Sequence, residues 1–268
     1  MIRETTVAGQ FYPSNPKELE QFIKSFVDSK SIRKISAKGM ILPHAGYSYS
    51  GKVAITTVSK VVPKKRIIIL GPNHTGLGEN FSLFARGKWK SPFKEINIDE
   101  EITISLLKSN SYIKEDYLAH LHEHSIEVQL PILQYFFGDF TLVPIVCSIA
   151  AVEIYREIAE QIYKVVRDII DDVLLVASSD MSHYEEDLVA RRKDRSAMDS
   201  ILNLDEKELV TKVNKENISM CGIAPVAILL AYCKYAKANK AEVVLYQTSG
   251  DSSGDYSAVV GYLGVIIH

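Results

Sequence analysis

Apolar and polar positions along this chain fall into blocks whose period switches repeatedly between about two and about 3.6, the spacings of strands and of amphipathic helices. Residues 37–42 form a short apolar run, and 52–62 carry helix-like apolar spacing. Residues 66–70 form a second strand, halted by Gly71-Pro72-Asn73-His74-Thr75-Gly76. Segment 81–90 alternates and predicts a short strand or hairpin, ahead of a helix over 99–108. Helical spacing returns at 125–137, strand spacing at 140–146, and a long amphipathic helix at 152–170. Residues 172–177 are the most apolar strand, and they break into Ser178-Ser179-Asp180-Met181-Ser182-His183-Tyr184. Helices follow over 188–202, 205–214 and 223–239, then closing strands over 243–248 and 258–267. Alternating strands and helices predict an α/β fold with a mainly parallel or mixed central sheet flanked by helices. No repeat or linker interrupts the pattern, so residues 1–268 are expected to form a single domain.

Composition narrows the function more than the fold. The chain has 31 basic and 33 acidic residues and a formal net charge of −2, which provides no positive field for a nucleic-acid backbone. The basic run Pro63-Lys64-Lys65-Arg66 reads as a solvated loop entering a strand. No apolar run approaches the roughly 18–20 residues that span a bilayer. The first residues, Met1-Ile2-Arg3-Glu4-Thr5-Thr6, lack a signal-peptide design, so a cytoplasmic location is expected. Three widely spaced cysteines argue against a disulfide framework.

In parallel sheets ligands gather beyond the carboxyl ends of strands. Three predicted strands each deliver a histidine there: His44, His74 and His183. Imidazole is the commonest transition-metal ligand and a proton carrier at neutral pH, so their convergence is chemically meaningful. A loop histidine bonded to backbone is the plain alternative for each one alone. Asp180, three residues before His183, suits a base-orienting carboxylate, a metal-site neighbour or a helix cap. His120, His122 and His124 alternate, with Glu127 three residues after His124, so this stretch is either a ligand cluster or a helix start rich in acids. His124 and Glu127 are also candidates for a pocket wall. Cys221 stands in a loop at the entry to the predicted helix 223–239, where a helix amino terminus favours thiolate. Cys147 and Cys233 read as small buried hydrophobes. The glycine-containing stretches match neither a dinucleotide fingerprint nor a P-loop. Gly250-Asp251-Ser252-Ser253 is a turn between closing strands or an anion cradle.

Six short motifs, Ala8-Gly9-Gln10-Phe11-Tyr12-Pro13, Pro43-His44-Ala45-Gly46-Tyr47, Gly71-Pro72-Asn73-His74, Glu123-His124-Ser125-Ile126-Glu127, Ser178-Ser179-Asp180-Met181-Ser182-His183 and Cys221-Gly222, resemble the Memo family in order and spacing. The resemblance spans nearly the whole chain. It implies a fold shared with class III extradiol ring-cleaving dioxygenases, which use non-haem iron(II). It also implies that His44, His74 and Cys221 are the candidate metal ligands, with Asp180 and His183 lining the same pocket. A thiolate stands where those dioxygenases use a carboxylate, which shifts the preference toward copper(I), zinc or a thiolate–iron site. Thr75 stands where some relatives carry a second histidine. The animal proteins are associated with phosphotyrosine-bearing receptor tails. A microbial relative is expected beside AMMECR-type and radical-SAM proteins.

Two functions follow as expectations. One is a metal-dependent, dioxygenase-like oxidoreductase holding iron(II) or copper, with zinc as a third candidate, in which His183 oriented by Asp180 moves protons. The other is a non-catalytic module that retains the pocket and binds a small molecule or peptide with Tyr12, Tyr47, His183 and Tyr184.

Overall fold

The computed structural model describes residues 1–27, 34–109 and 111–268. Five strands that read as apolar runs make up most of the central sheet. They are β2 (Gly39–Leu42), β3 (Arg66–Pro72), β8 (Thr141–Cys147), β9 (Val173–Ser178) and β12 (Val259–Ile267). The smaller strands are β1 (Ile2–Arg3), β4 (Phe81–Leu83), β5 (Lys88–Trp89), β6 (Ile96–Asn97), β7 (Lys114–Glu115), β10 (Asp180–Glu185) and β11 (Ala241–Thr248). The main sheet runs β12-β2-β9-β3-β8-β4-β7, with β10 and β11 also paired to β12. Strands β2, β9, β3 and β8 are mutually parallel, while β4, β10, β11 and β12 add antiparallel pairs. The sheet is therefore mixed around a parallel centre.

Period-two alternation sends successive side chains to opposite faces. Ile68, Leu70, Val173, Leu175 and Ala177 enter one core, and Ile67, Ile69, Leu174 and Val176 enter the other. Helix α2 (Tyr47–Ser59) covers the second face, and α3 (Val152–Val166) and α4 (Ile223–Tyr235) pack on the first. Every residue of α4 from Ile223 to Cys233 is buried, as expected of a helix apolar on all sides. Because the parallel strands share a direction, Leu42, Pro72, Cys147 and Ser178 all end on one edge.

Several predicted elements change in extent. The helix expected over 52–62 starts at Tyr47, its first turn disguised by Tyr-Ser-Tyr-Ser, which carries no apolar period. The helix expected over 152–170 stops at Val166 and continues as a 3₁₀ segment, Arg167–Asp172, broken at Ile169 (φ −125°). The one expected over 125–137 is a 3₁₀ turn, Glu127–Gln129, leading into a helix over Leu130–Phe137 with Pro131 in its first turn. Segment 81–90 is no hairpin: Phe81–Leu83 joins the main sheet, and Lys88–Trp89 joins β1 and β6 in a small separate sheet. Helix α1 (Pro16–Lys24) is not among the expected elements, although Asn15 caps it through Lys17 N at 2.9 Å and Pro16 opens it. The largest departure is β10, which reads as a polar loop. It becomes a strand because β12 offers a partner and the buried Asp194 accepts a hydrogen bond from Ser182 N at 2.9 Å.

Helix α2 approaches β12 at Gly264, where a methyl group would collide with Thr57 Oγ1, itself bonded to Val53 O at 2.7 Å. Gly264→Ala is expected to cost about 1–3 kcal/mol from overpacking. Urea unfolding should show most of this loss recovered in the Thr57→Ala/Gly264→Ala double variant. Additive losses would show that the two positions do not press on each other.

Candidate metal centre

Strand β2 ends at Leu42 and turns through Pro43 into His44, while β9 ends at Ser178 and steps sideways past the end of β2, Ser179 N donating to Leu42 O at 2.8 Å. That step carries Asp180 over the end of β2, where its Oδ1 accepts from His44 N at 2.8 Å. His44 Nε2 then lies 4.0 Å from Asp180 Oδ2 and 3.2 Å from Cys221 Sγ. Cys221 is held by the same segment: Asp180 N donates to its sulfur at 3.3 Å, and Gly222 N donates to Ser179 Oγ at 3.1 Å. His74 arrives from the end of β3, its ring centroid 5.1 Å from that of His44. One donor atom each from His44, His74 and Cys221 lies within 4.8 Å of the others. A tetrahedral ion with bonds of about 2.0–2.3 Å holds its ligands roughly 3.3–3.6 Å apart, so small side-chain rotations close this set.

Burial and neighbouring charge divide the protons among these groups. His44 is wholly buried beside His74, His124 and His183, which pushes its pKa well below the usual imidazole value and keeps it neutral. Burial opposes charge on His74 too, but the hydrogen bond and charge of Glu123 win and raise it. Glu123 receives His74 N at 2.6 Å, His74 Nδ1 at 2.9 Å and Ser125 N at 2.9 Å. Against the cost of burial, these contacts hold its carboxyl down at about 2. Asp180 goes the other way: burial raises it to about 6, with the His44 N–H opposing. Cys221 was expected to gain thiolate character from the helix end. Burial, then the Asp180 charge, instead pushes its thiol up, so without a metal it stays protonated. Cys147 and Cys233 are buried thiols, each raised by burial alone.

The remaining candidate residues lie at different distances from the centre. His183 is on β10, and its ring is oriented by Ser219 O, 2.8 Å from Nδ1, rather than by Asp180. Tyr184 points outward, 80% exposed with φ 57°. His124 stacks on His74 at 4.8 Å and also meets Phe11 at 4.9 Å. Glu123, which sequence offers only as part of the motif 123–127, is the carboxylate beside His74. With His74 and His124 it forms a second close donor group. His120 is buried against Phe84 and Trp89 and bonds Ser82 O at 3.0 Å.

Tyr12 and Tyr47 line a cavity of about 430 Å³ with Phe11 and Phe22. Their hydroxyls are engaged elsewhere, Tyr12 with Glu127 Oε1 at 2.7 Å and Tyr47 with Val128 O at 2.6 Å. Glu127 is turned toward the amino-terminal segment, receiving Thr6 N at 2.9 Å, Val7 N at 3.0 Å and the guanidinium of Arg3. Arg3 also donates to His120 O at 3.0 Å and Glu123 O at 2.6 Å and lies over the Trp89 ring. This buried pair ties the amino terminus to the segment that carries Glu123 and His124.

Sheet, strand-end histidines and thiol together define a mixed α/β protein with a metal-competent centre. The chain matches the family described as Memo-like protein over residues 3–266. It is 40% identical over 266 residues to a MEMO1 family protein of Aquifex aeolicus, covering 99% of this chain and 98% of that one. It is 44% identical over 283 aligned positions to a MEMO1 family protein of Sulfurisphaera tokodaii, covering 99% of both chains. The chain belongs to the Memo family. Its fold is also similar to the crystal structure of an uncharacterized protein from Escherichia coli K12, with TM-score 0.55 and 12% identity over 85% of this chain and 98% of that one. That likeness bears on fold alone. Among the described residues no helix is long and apolar enough to cross a membrane.

Arg3→Met is expected to destabilise the protein by about 3–5 kcal/mol, because Glu127 stays buried without its partner. In chemical denaturation the Arg3→Met/Glu127→Gln double variant should recover part of the loss. A single-variant cost below 1 kcal/mol would show that the amino terminus is not clamped by this pair.

Proposed function

We propose that this Memo-family chain is a metalloprotein that holds iron(II) or copper through His44, His74 and Cys221 and uses the centre in oxidation of a small organic molecule, with dioxygen as the electron acceptor. The carrying observation is the approach of two imidazoles and one thiol at the strand ends, with Cys221 Sγ 3.2 Å from His44 Nε2. Two nitrogens and a thiolate suit copper(I), zinc or a thiolate–iron site better than magnesium or calcium. A bound redox metal would supply Lewis acidity and electron-transfer chemistry.

The chain's own groups would manage protons around it. Cys221 must lose its proton to become a ligand, and Asp180, whose carboxylate charge already acts on that thiol and whose Oδ2 lies 4.0 Å from His44 Nε2, is a buried acid placed to receive one. With a pKa raised to about 6, Asp180 can both take and return a proton near neutrality. His183, anchored through Nδ1, leaves Nε2 free for exchange with substrate or solvent. Glu123 holds His74 in place and takes no part in proton movement, since its carboxyl stays ionised.

One observation favours a second reading, a ligand- or peptide-binding module without turnover. The cavity lined by Tyr12 and Tyr47 adjoins the centre through Phe11 and His124 but contributes no donor atom to it.

The test is metal analysis of protein purified without chelator and after anaerobic reconstitution. Wild type should carry about one iron or copper ion per chain. His44→Ala and Cys221→Ser should each lose at least 10-fold in affinity. Wild-type protein that binds neither iron, copper nor zinc overturns the metal-centre reading, and unchanged loading in Cys221→Ser removes the thiol from the ligand set.

A further inference from the structure

Ser178 Oγ makes three close polar contacts: Ser125 O at 2.6 Å, Gln129 Nε2 at 2.9 Å and His44 Nδ1 at 2.8 Å. A serine hydroxyl has one proton and two lone pairs. The Ser125 carbonyl can only accept, so it takes the Ser178 proton. The Gln129 amide nitrogen can only donate, so it takes one lone pair. Its orientation is itself fixed, because it also donates to Pro43 O at 2.9 Å, and turning the amide over would set two carbonyl oxygens against each other. One acceptor lone pair remains on Ser178, and His44 Nδ1 must therefore carry hydrogen. Gln129, Ser178 and Ser125 are fully buried, so water does not offer a competing partner.

We infer that Ser178, held by Gln129, is a positioning residue that fixes His44 in the Nδ1–H tautomer and so presents the Nε2 lone pair to the centre. The consequence for metal affinity rests on the function proposed above; the tautomer itself does not. Glu123 reaches the same end at His74 by a different route, since an ionised carboxylate can only accept from Nδ1. A charged acceptor favours a protonated ring, whereas a hydroxyl whose own proton is committed elsewhere orients a ring that stays neutral. The two ligand histidines are thus aimed alike, one by charge and the other by hydrogen-bond counting. Had Ser178 no fixed partners, its hydroxyl could turn and donate to Nδ1, leaving the proton on Nε2, where it would block coordination.

The inference is tested on metal-free protein with ¹⁵N-labelled histidine at alkaline pH, where the rings are neutral and two-bond nitrogen–proton correlations identify each tautomer. Wild-type His44 should show the Nδ1–H pattern. Ser178→Ala should show Nε2–H or a mixture at His44 with the His74 pattern unchanged, and its affinity for zinc in chelator competition should fall 10–100-fold. Gln129→Met keeps the side-chain length and removes the donor. It should give a mixture at His44 with a smaller loss of affinity, and it serves also if Ser178→Ala does not fold. Nε2–H at His44 in wild type overturns the inference, as does a folded Ser178→Ala with both tautomer and zinc affinity unchanged. Wild type that shows Nδ1–H yet binds no zinc, iron or copper upholds the positioning of His44 and overturns the metal-centre reading instead.

Discussion

The sideways step of the chain at Ser178-Ser179-Asp180 is the constraint on which the candidate centre depends. A strand that simply ended at Ser178 would leave a loop free to leave the sheet edge. Here Ser179 N is bound to Leu42 O, so the backbone must cross the end of β2 before it can pair with β12. Each residue of the step then meets a different part of the centre: Ser178 the ring of His44, Ser179 the amide of Gly222, and Asp180 both His44 N and Cys221 Sγ. Gly222 has no side chain because one would occupy the space of Ser179. Cys221 is brought to the histidines by backbone packing, and its thiol chemistry follows from where that packing leaves it.

Buried polar groups around the centre are arranged in two electrostatic styles. On the His74 side they are ionic: Glu123 is ionised and saturated with donors, and Arg3 and Glu127 pair behind it. On the His44 side they are neutral: a glutamine, two serines and a histidine kept uncharged by burial. The ionic half braces the long segment between β7 and β8 against the amino terminus, whereas the Nδ1 side of the His44 ring is oriented by uncharged groups. Asp180 is the exception on the His44 side, an acid that accepts from His44 N and whose carboxyl is raised by burial to about 6.

Legibility along the chain follows the range of the physics involved. The strand periods at β2, β3, β8, β9 and β12 are local, because alternation and apolar runs are written into adjacent residues. His44, His74 and Cys221 could be singled out because histidines after strands and a cysteine before a helix are also local patterns, and the six motifs of the Memo family bind them into one order. Glu123 stands in one of those motifs, but nothing near it in sequence points to His74, 49 residues away. Gln129 lay inside an apolar helical run. β10 was missed because its residues, Asp-Met-Ser-His-Tyr-Glu, have no strand period of their own and pair only where β12 supplies an edge.

Alternating strands and helices are written in neighbours a few positions apart, the family in six short motifs kept in order along the chain, and the candidate metal-ligating residues in that resemblance. Contacts between distant segments leave the Cys221 thiol protonated without a metal, turn Glu127 toward the amino-terminal segment, and set Ser219 rather than Asp180 against the His183 ring. Those outcomes turn on burial and on which acceptor lies within 3 Å of which donor. Both are properties of chain segments that meet only after the sheet has formed.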